Sequence, residues 1–135
     1  MRELLYKIAS FIWDIPIEKT SSENNDYLEV VWSQGKKMLK TREANFSFGN
    51  GYHVFEKAIS LIEDHIGEAK STLILGFGCG SILHLLEKKY AYGGTLTGVE
   101  YDPTILQLFN KHFRNNYSLQ PVLISADALD FVNET

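Results

Sequence analysis

Leu73-Ile74-Leu75-Gly76-Phe77-Gly78-Cys79-Gly80-Ser81 decides how this chain folds. An apolar run feeds a loop with glycine at alternate positions, and a second apolar run ends in the acid Glu100. Glycines let the backbone leaving a strand turn sharply and approach a ligand, and the next helix offers free N–H groups. An acid about 20 residues further on accepts both hydroxyls of a ribose. The spacing is that of a nucleotide site, and the ligand it implies carries adenosine.

Downstream of Ser71 the pattern alternates strand and helix. Residues 72–75 read as a buried strand, and 82–90 as a helix with Leu83, Leu86 and Tyr90 inward. Gly93-Gly94 is a turn into the strand 95–100. Strand, helix, strand implies parallel pairing. Asp102 and Pro103 are suited to be the N-cap and first residue of a helix running through Ile105, Leu108, Phe109 and His112 to about Arg114. A third strand, 122–125, ends at Ala126-Asp127, and Phe131 and Val132 begin another apolar helical face.

Upstream the character changes. Leu28, Val30 and Trp32 alternate with Glu29, Val31 and Ser33, and Ser33-Gln34-Gly35-Lys36 supplies a turn into 38–41, which predicts a hairpin. Phe46 and Phe48, alternating with Asn45 and Ser47, add a strand. Ile15 and Ile17 around Pro16 suit an edge strand, where the missing N–H does least harm. Leu4, Ile8, Phe11, Ile12 and Ile15 fall at helical spacing and form one apolar stripe, suited to dock on the same protein or a second copy. Asn50-Gly51 breaks the pattern. Phe55, Ile59, Ile62 and Ile66 then mark a helix stopping at Gly67, a residue suited to a left-handed C-cap. The chain therefore divides into 1–50, an N-terminal helix with a small antiparallel β subdomain, and 51–135, an α/β unit with parallel strands.

A chain of 135 residues supports one sizeable core, or one domain with a small appendage. Its net charge of -4 is spread over interspersed acids and bases, so no basic stripe exists for a phosphate backbone and nucleic acid is not an expected partner. Glu3, Lys7 and Asp14 interrupt or flank the apolar N-terminal stretch, and no small-residue cleavage pattern follows it. That argues against a signal peptide or a membrane span. The lone Cys79 cannot form an internal disulfide, which fits a reducing, cytoplasmic compartment. His53, His65, His84 and His112 show no metal-ligand spacing, so no metal is expected.

Three segments carry a family resemblance: Gly76-Phe77-Gly78-Cys79-Gly80-Ser81, Val99-Glu100-Tyr101-Asp102-Pro103, and Ala126-Asp127-Ala128-Leu129-Asp130-Phe131. In order and spacing they resemble the cofactor motifs of the class I S-adenosylmethionine-dependent methyltransferase superfamily, and most nearly its spermidine/spermine synthase (polyamine aminopropyltransferase) branch. Residues 99–103 are the most specific match, and residues 15–49 stand where that branch has a β-rich, dimer-forming subdomain. The resemblance implies a partial Rossmann-like methyltransferase fold. It implies a transferase moving a methyl or aminopropyl group from S-adenosylmethionine or its decarboxylated form to a small molecule such as a polyamine, in a cytoplasmic homodimer without metal. It also implies that Gly76, Gly78 and Gly80 surround the cofactor's tail, that Glu100, followed by Tyr101, holds the ribose, and that Asp127, followed by Ala128, receives the adenine amino group. Tyr52, His53 and Glu56 resemble the substrate-facing segment.

Each residue also has a plain structural reading: Gly80 as a helix-packing glycine, Glu100 as a solvated strand end, Asp127 as an N-cap. The resemblance departs at Cys79, where the branch has an acid suited to a cationic aminopropyl tail, so the expectation is a preference for S-adenosylmethionine. No catalytic residue is assigned. The chain stops at Thr135, before a fourth parallel strand. The expectation is an N-terminal portion of a longer enzyme, the alternative a short chain covering its sheet edge with a second copy. Two other functions stay open: a non-catalytic adenosyl-binding or dimerisation module, and a nicotinamide-dependent oxidoreductase. Against the latter, Ser81 stands where G-x-G-x-x-G wants glycine or alanine.

Overall fold

The computed structural model describes residues 2–43, 45–47 and 52–134. The chain forms two compact units, Met1–Asn50 and Gly51–Thr135.

In the first unit a helix α1 (Arg2–Ala9) precedes the strands β1 (Ile15–Thr20), β2 (Leu28–Ser33), β3 (Lys36–Thr41) and β4 (Asn45–Ser47). They form one antiparallel sheet in the order β1-β2-β3-β4. Gln34 (φ 49°) and Gly35 (φ 76°) make the two-residue turn between β2 and β3. Positive φ at both central positions matches the right-handed strand twist, which explains why glycine closes this hairpin. Pro16 lies on the edge strand β1, next to an irregularity in its pairing with β2. Leu28, Val30, Val31 and Leu39 are buried, so the core takes residues from both faces of the hairpin and not from one alternating set. Phe48 lies outside the described residues.

The N-terminal stripe is not one helix. α1 ends at Ala9, and Ser10 then ties the chain to the hairpin: its hydroxyl donates to Lys7 O (2.7 Å) and accepts from Gly35 N (2.9 Å), and its carbonyl accepts from Gln34 N. Phe11 packs on Gly35, where a side chain would collide with its ring. Ile15 belongs to β1. Leu4, Leu5 and Ile8 on α1, and Phe11, Ile12 and Trp13 after it, stand mostly exposed.

The second unit begins with α2 (Tyr52–Ser60) and α3 (Glu63–Glu68), two helices where the sequence pattern suggests one. The Ser60 hydroxyl donates to Lys57 O, a local bond that competes with the helix ladder, and Leu61 and Ile62 close α2 with i→i−3 bonds. Of the expected apolar stripe, Ile59 and Ile66 are buried while Phe55 and Ile62 are about half exposed. Gly67 sits inside α3 and the cap is Ala69, in extended conformation.

Then follow β5 (Ser71–Leu75), α4 (Ser81–Lys88), β6 (Thr95–Glu100), α5 (Pro103–Leu108), β7 (Val122–Ser125) and α6 (Ala128–Glu134). The sheet is parallel, in the order β5-β6-β7. α5 continues as a π-helical turn, Phe109–Phe113, and a short 3-10 turn, Arg114–Asn116. Each crossover steps the same way across the sheet, and right-handed crossovers then put α4 and α5 on one face. Ile74, Gly98 and Leu123 share a register row, and Phe77 packs against Gly98 there. The opposite face carries Leu73 (46% exposed), Leu75 (48%) and Val122 (63%). β5 is therefore an edge strand with one covered face, not the fully buried strand its apolar run suggests.

The architecture is mixed α/β, an antiparallel sheet followed by a parallel sheet with helices. No helix among the described residues is long and apolar enough to cross a membrane.

Candidate functional site

In a parallel sheet every strand ends at the same edge. Register rows Leu75, Val99, Ile124 bring the 76–80 loop, Glu100 and the 125–128 turn together there. The loop needs glycine because Gly76, Gly78 and Gly80 have φ of 74°, 57° and 75°, a region other residues enter at a cost of about 1–2 kcal/mol. Two N–H groups, of Gly76 and Phe77, donate to Val99 O at 2.9 Å and bind the loop to β6. Phe77 turns inward, its ring edge-on to Phe109 at 4.9 Å.

The three glycines play different parts. A Cβ on Gly76 would meet nothing within 4 Å, so the backbone there borders open space. One on Gly80 would lie 2.8 Å from Phe109 Cε2 and 3.1 Å from Leu83 Cδ1, which is the helix-packing role. Gly78 donates its N–H to Glu100 Oε2 at 2.8 Å. Gly80 is also the N-cap position of α4, which has no side-chain cap.

Glu100 is not a solvated strand end. It is 7% exposed, on the sheet face that also carries Gly98, and its second oxygen, Oε1, accepts from Asp102 N at 3.0 Å. Asp102, buried, caps α5 by accepting from Thr104 N, with Pro103 at the first helical position. Tyr101 stands exposed. Asp127 is the N-cap of α6: its Oδ1 accepts from Leu129 N (2.8 Å) and Asp130 N (3.2 Å). Ala128 opens that helix, half-buried, and Ala126 N donates to Glu100 O, joining the third segment to the second.

Cys79 faces inward. It is fully buried, and its thiol lies 3.8 Å from Ile105 O. Burial, with the Glu100 charge as a smaller cause, pushes the thiol far above its ordinary range. A side chain at this position points at α5 and not across the loop.

The α2 residues stand elsewhere. Glu56 pairs with Lys89 at 2.8 Å, just past the end of α4 opposite the glycine loop, and eight residues of α4 span about 12 Å. The Lys89 hydrogen bond and charge hold the Glu56 carboxyl below its usual range. His53 is exposed, with Nδ1 3.5 Å from Glu56. Tyr52 opens α2 and its side chain lies outside the described residues. The structure does not bring His53 and Glu56 to the loop. Among the described residues no group of three or more His, Cys, Asp or Glu side chains is placed to hold a metal ion.

Sequence reasoning missed the bond from Gly78 to Glu100 and the inward, edge-on packing of Phe77. A signal for the latter exists: Gly98 in mid-strand marks a place where another group approaches the backbone closely. No family model matches the chain, and no curated protein matches it.

Proposed function

We propose that the carboxyl edge of the parallel sheet binds the adenosyl part of a sulfonium cofactor, S-adenosylmethionine or its decarboxylated form. The chain then belongs to a spermidine synthase-like or methyltransferase-like transferase with a Rossmann-like fold. The observation that carries this reading is the pairing of a left-handed glycine loop with a buried carboxylate at the end of the neighbouring parallel strand. The open space above Gly76 suits a ligand lying against the backbone.

In this reading Glu100 accepts the ribose hydroxyls, the loop backbone lies along the cofactor's tail, and Asp127 Oδ2 receives the adenine amino group. The sulfonium itself supplies the reactivity. A nucleophile's lone pair forms a bond to the methyl or aminopropyl carbon, the carbon–sulfur bond breaks, and its electron pair stays on sulfur as a neutral thioether. The chain's contribution is to hold the two partners in line. The proton released by the nucleophile needs a base, and no described residue is assigned that role. The 76–80 loop argues against a nicotinamide cofactor, because its third glycine comes one residue earlier than in G-x-G-x-x-G.

Calorimetric titration tests the reading. S-Adenosylmethionine or methylthioadenosine binds more tightly than NAD, and Glu100→Ala weakens that binding by about 1–3 kcal/mol, the cost of lost hydrogen bonds to a charged acceptor. Tighter binding of NAD, or no binding of any adenosyl compound, overturns it.

A further inference from the structure

We infer that Glu100 is a positioning residue that clamps the glycine loop to the start of α5 before any nucleoside arrives, and that a ribose binds with this clamp intact. The second half rests on the proposed nucleoside site; the first does not.

The loop's ends are held by backbone. Gly76 and Phe77 donate to Val99 O, and Gly80 donates to Phe77 O. Its midpoint is different. Gly78 N–H has no backbone acceptor among the described residues and bonds instead to Glu100 Oε2, 22 positions away in sequence. The N–H of Asp102, the residue that caps α5, likewise goes to Glu100 Oε1. One buried carboxylate thus joins the middle of the loop to the entry of the next helix. Bonds to an ionised acceptor are about twice as strong as neutral ones, so this junction is the strongest polar tie the loop's midpoint has.

The arrangement is compatible with ligand. A carboxylate offers about four acceptor positions, and two N–H donors leave two for a pair of hydroxyls. A vicinal diol adds to the clamp without displacing it, and the loop pays no ordering cost on binding.

Amide hydrogen exchange in the ligand-free protein tests the clamp. In the wild type, the Gly78 and Asp102 amides are protected although neither belongs to a ladder. Glu100→Gln presents one acceptor and one NH2 group where two N–H groups converge. It speeds exchange at Gly78, Asp102 or both by about 10- to 150-fold, the equivalent of a lost charge-assisted bond, and leaves the strand amides of β5, β6 and β7 as they were. Wild-type amides exchanging at free-peptide rates, or Glu100→Gln amides as protected as wild type, overturn the inference. If Glu100→Gln fails to fold, the wild-type rates still decide it.

Binding of adenosine and of 2′,3′-dideoxyadenosine tests the coupling. A clamp makes Glu100→Gln weaken both several-fold, adenosine more. Weakening of adenosine alone makes Glu100 a ligand group only and overturns the coupling. Failure of both compounds to bind the wild type, with both amides protected, refutes the nucleoside site and leaves the clamp standing.

Discussion

Gly80→Ala and Gly76→Ala separate the two kinds of glycine in the loop. Both residues have φ near 75°, so alanine costs about 1–2 kcal/mol at either from backbone conformation alone. At Gly76 nothing lies within 4 Å of the new methyl, and that conformational cost is the whole effect on stability. At Gly80 the methyl sits 2.8 Å from Phe109 Cε2, and Phe109 is fully buried and packed edge-on against Phe77, so it has no room to yield. Forcing an extra methyl into a packed core adds about 1–3 kcal/mol, for a total of about 2–5 kcal/mol. Equilibrium urea unfolding of both variants measures the difference, and calorimetry with methylthioadenosine measures binding. We expect Gly80→Ala to be clearly the less stable. Gly76→Ala should remain folded and lose nucleoside affinity, because its methyl intrudes on the open side of the loop. Equal stability of the two variants refutes the packing argument, and undiminished binding by Gly76→Ala refutes the assignment of that side to the ligand.

Cys79, buried and held protonated, should resist iodoacetamide at pH 8 in the native protein and react fully in urea; rapid native labelling, read by mass spectrometry, contradicts the inward placement. Asp14 is held below the usual carboxylate range chiefly by its hydrogen bond to Lys40, then by Ser33. A depressed folded-state value means that its stabilisation is present above the ordinary carboxylate range and is lost as pH falls through the lowered value. Lys40→Met should raise the Asp14 midpoint in an NMR titration and flatten the acid limb of the stability curve; an unmoved midpoint rules the pair out as the cause. Leu4, Leu5, Ile8, Phe11, Ile12 and Trp13 are each 60% exposed or more, and exposed apolar side chains clustered in sequence favour an interface, so we expect self-association through them. Sedimentation of a clean monomer at high concentration contradicts that.

Glycine spacing made the carboxyl edge readable from sequence, because a backbone at positive φ leaves few other choices. Asp102-Pro103 was readable for the same reason: cap chemistry is local. Direction was not local. Whether the side chain at position 79 points across the loop or into the core depends on what α5 presents to it, Ile105 being 26 positions away in sequence. The apolar run 73–75 says strand but not which face has a cover, and only the one-way order of the sheet leaves Leu73 and Leu75 half exposed. Asp102 and Asp127 look alike as helix-starting acids, and both cap helices in the structure. The two readings of Asp127, cap and adenine contact, share one side chain, and only a ligand separates them. The break at Leu61 and Ile62 was hidden because the apolar period runs through it unbroken.

Both sheets place their strands in the order in which the chain supplies them, β1-β2-β3-β4 and β5-β6-β7. Among the described strands none has to hold a gap for a later one to fill. Each new strand meets an edge already formed, so loop-closure entropy is met one connection at a time. During synthesis the antiparallel sheet can close before the parallel one begins, and β5 can be joined by β6 and then β7 as each leaves the ribosome. The same strand order makes assembly sequential, with each strand spending little time unpaired.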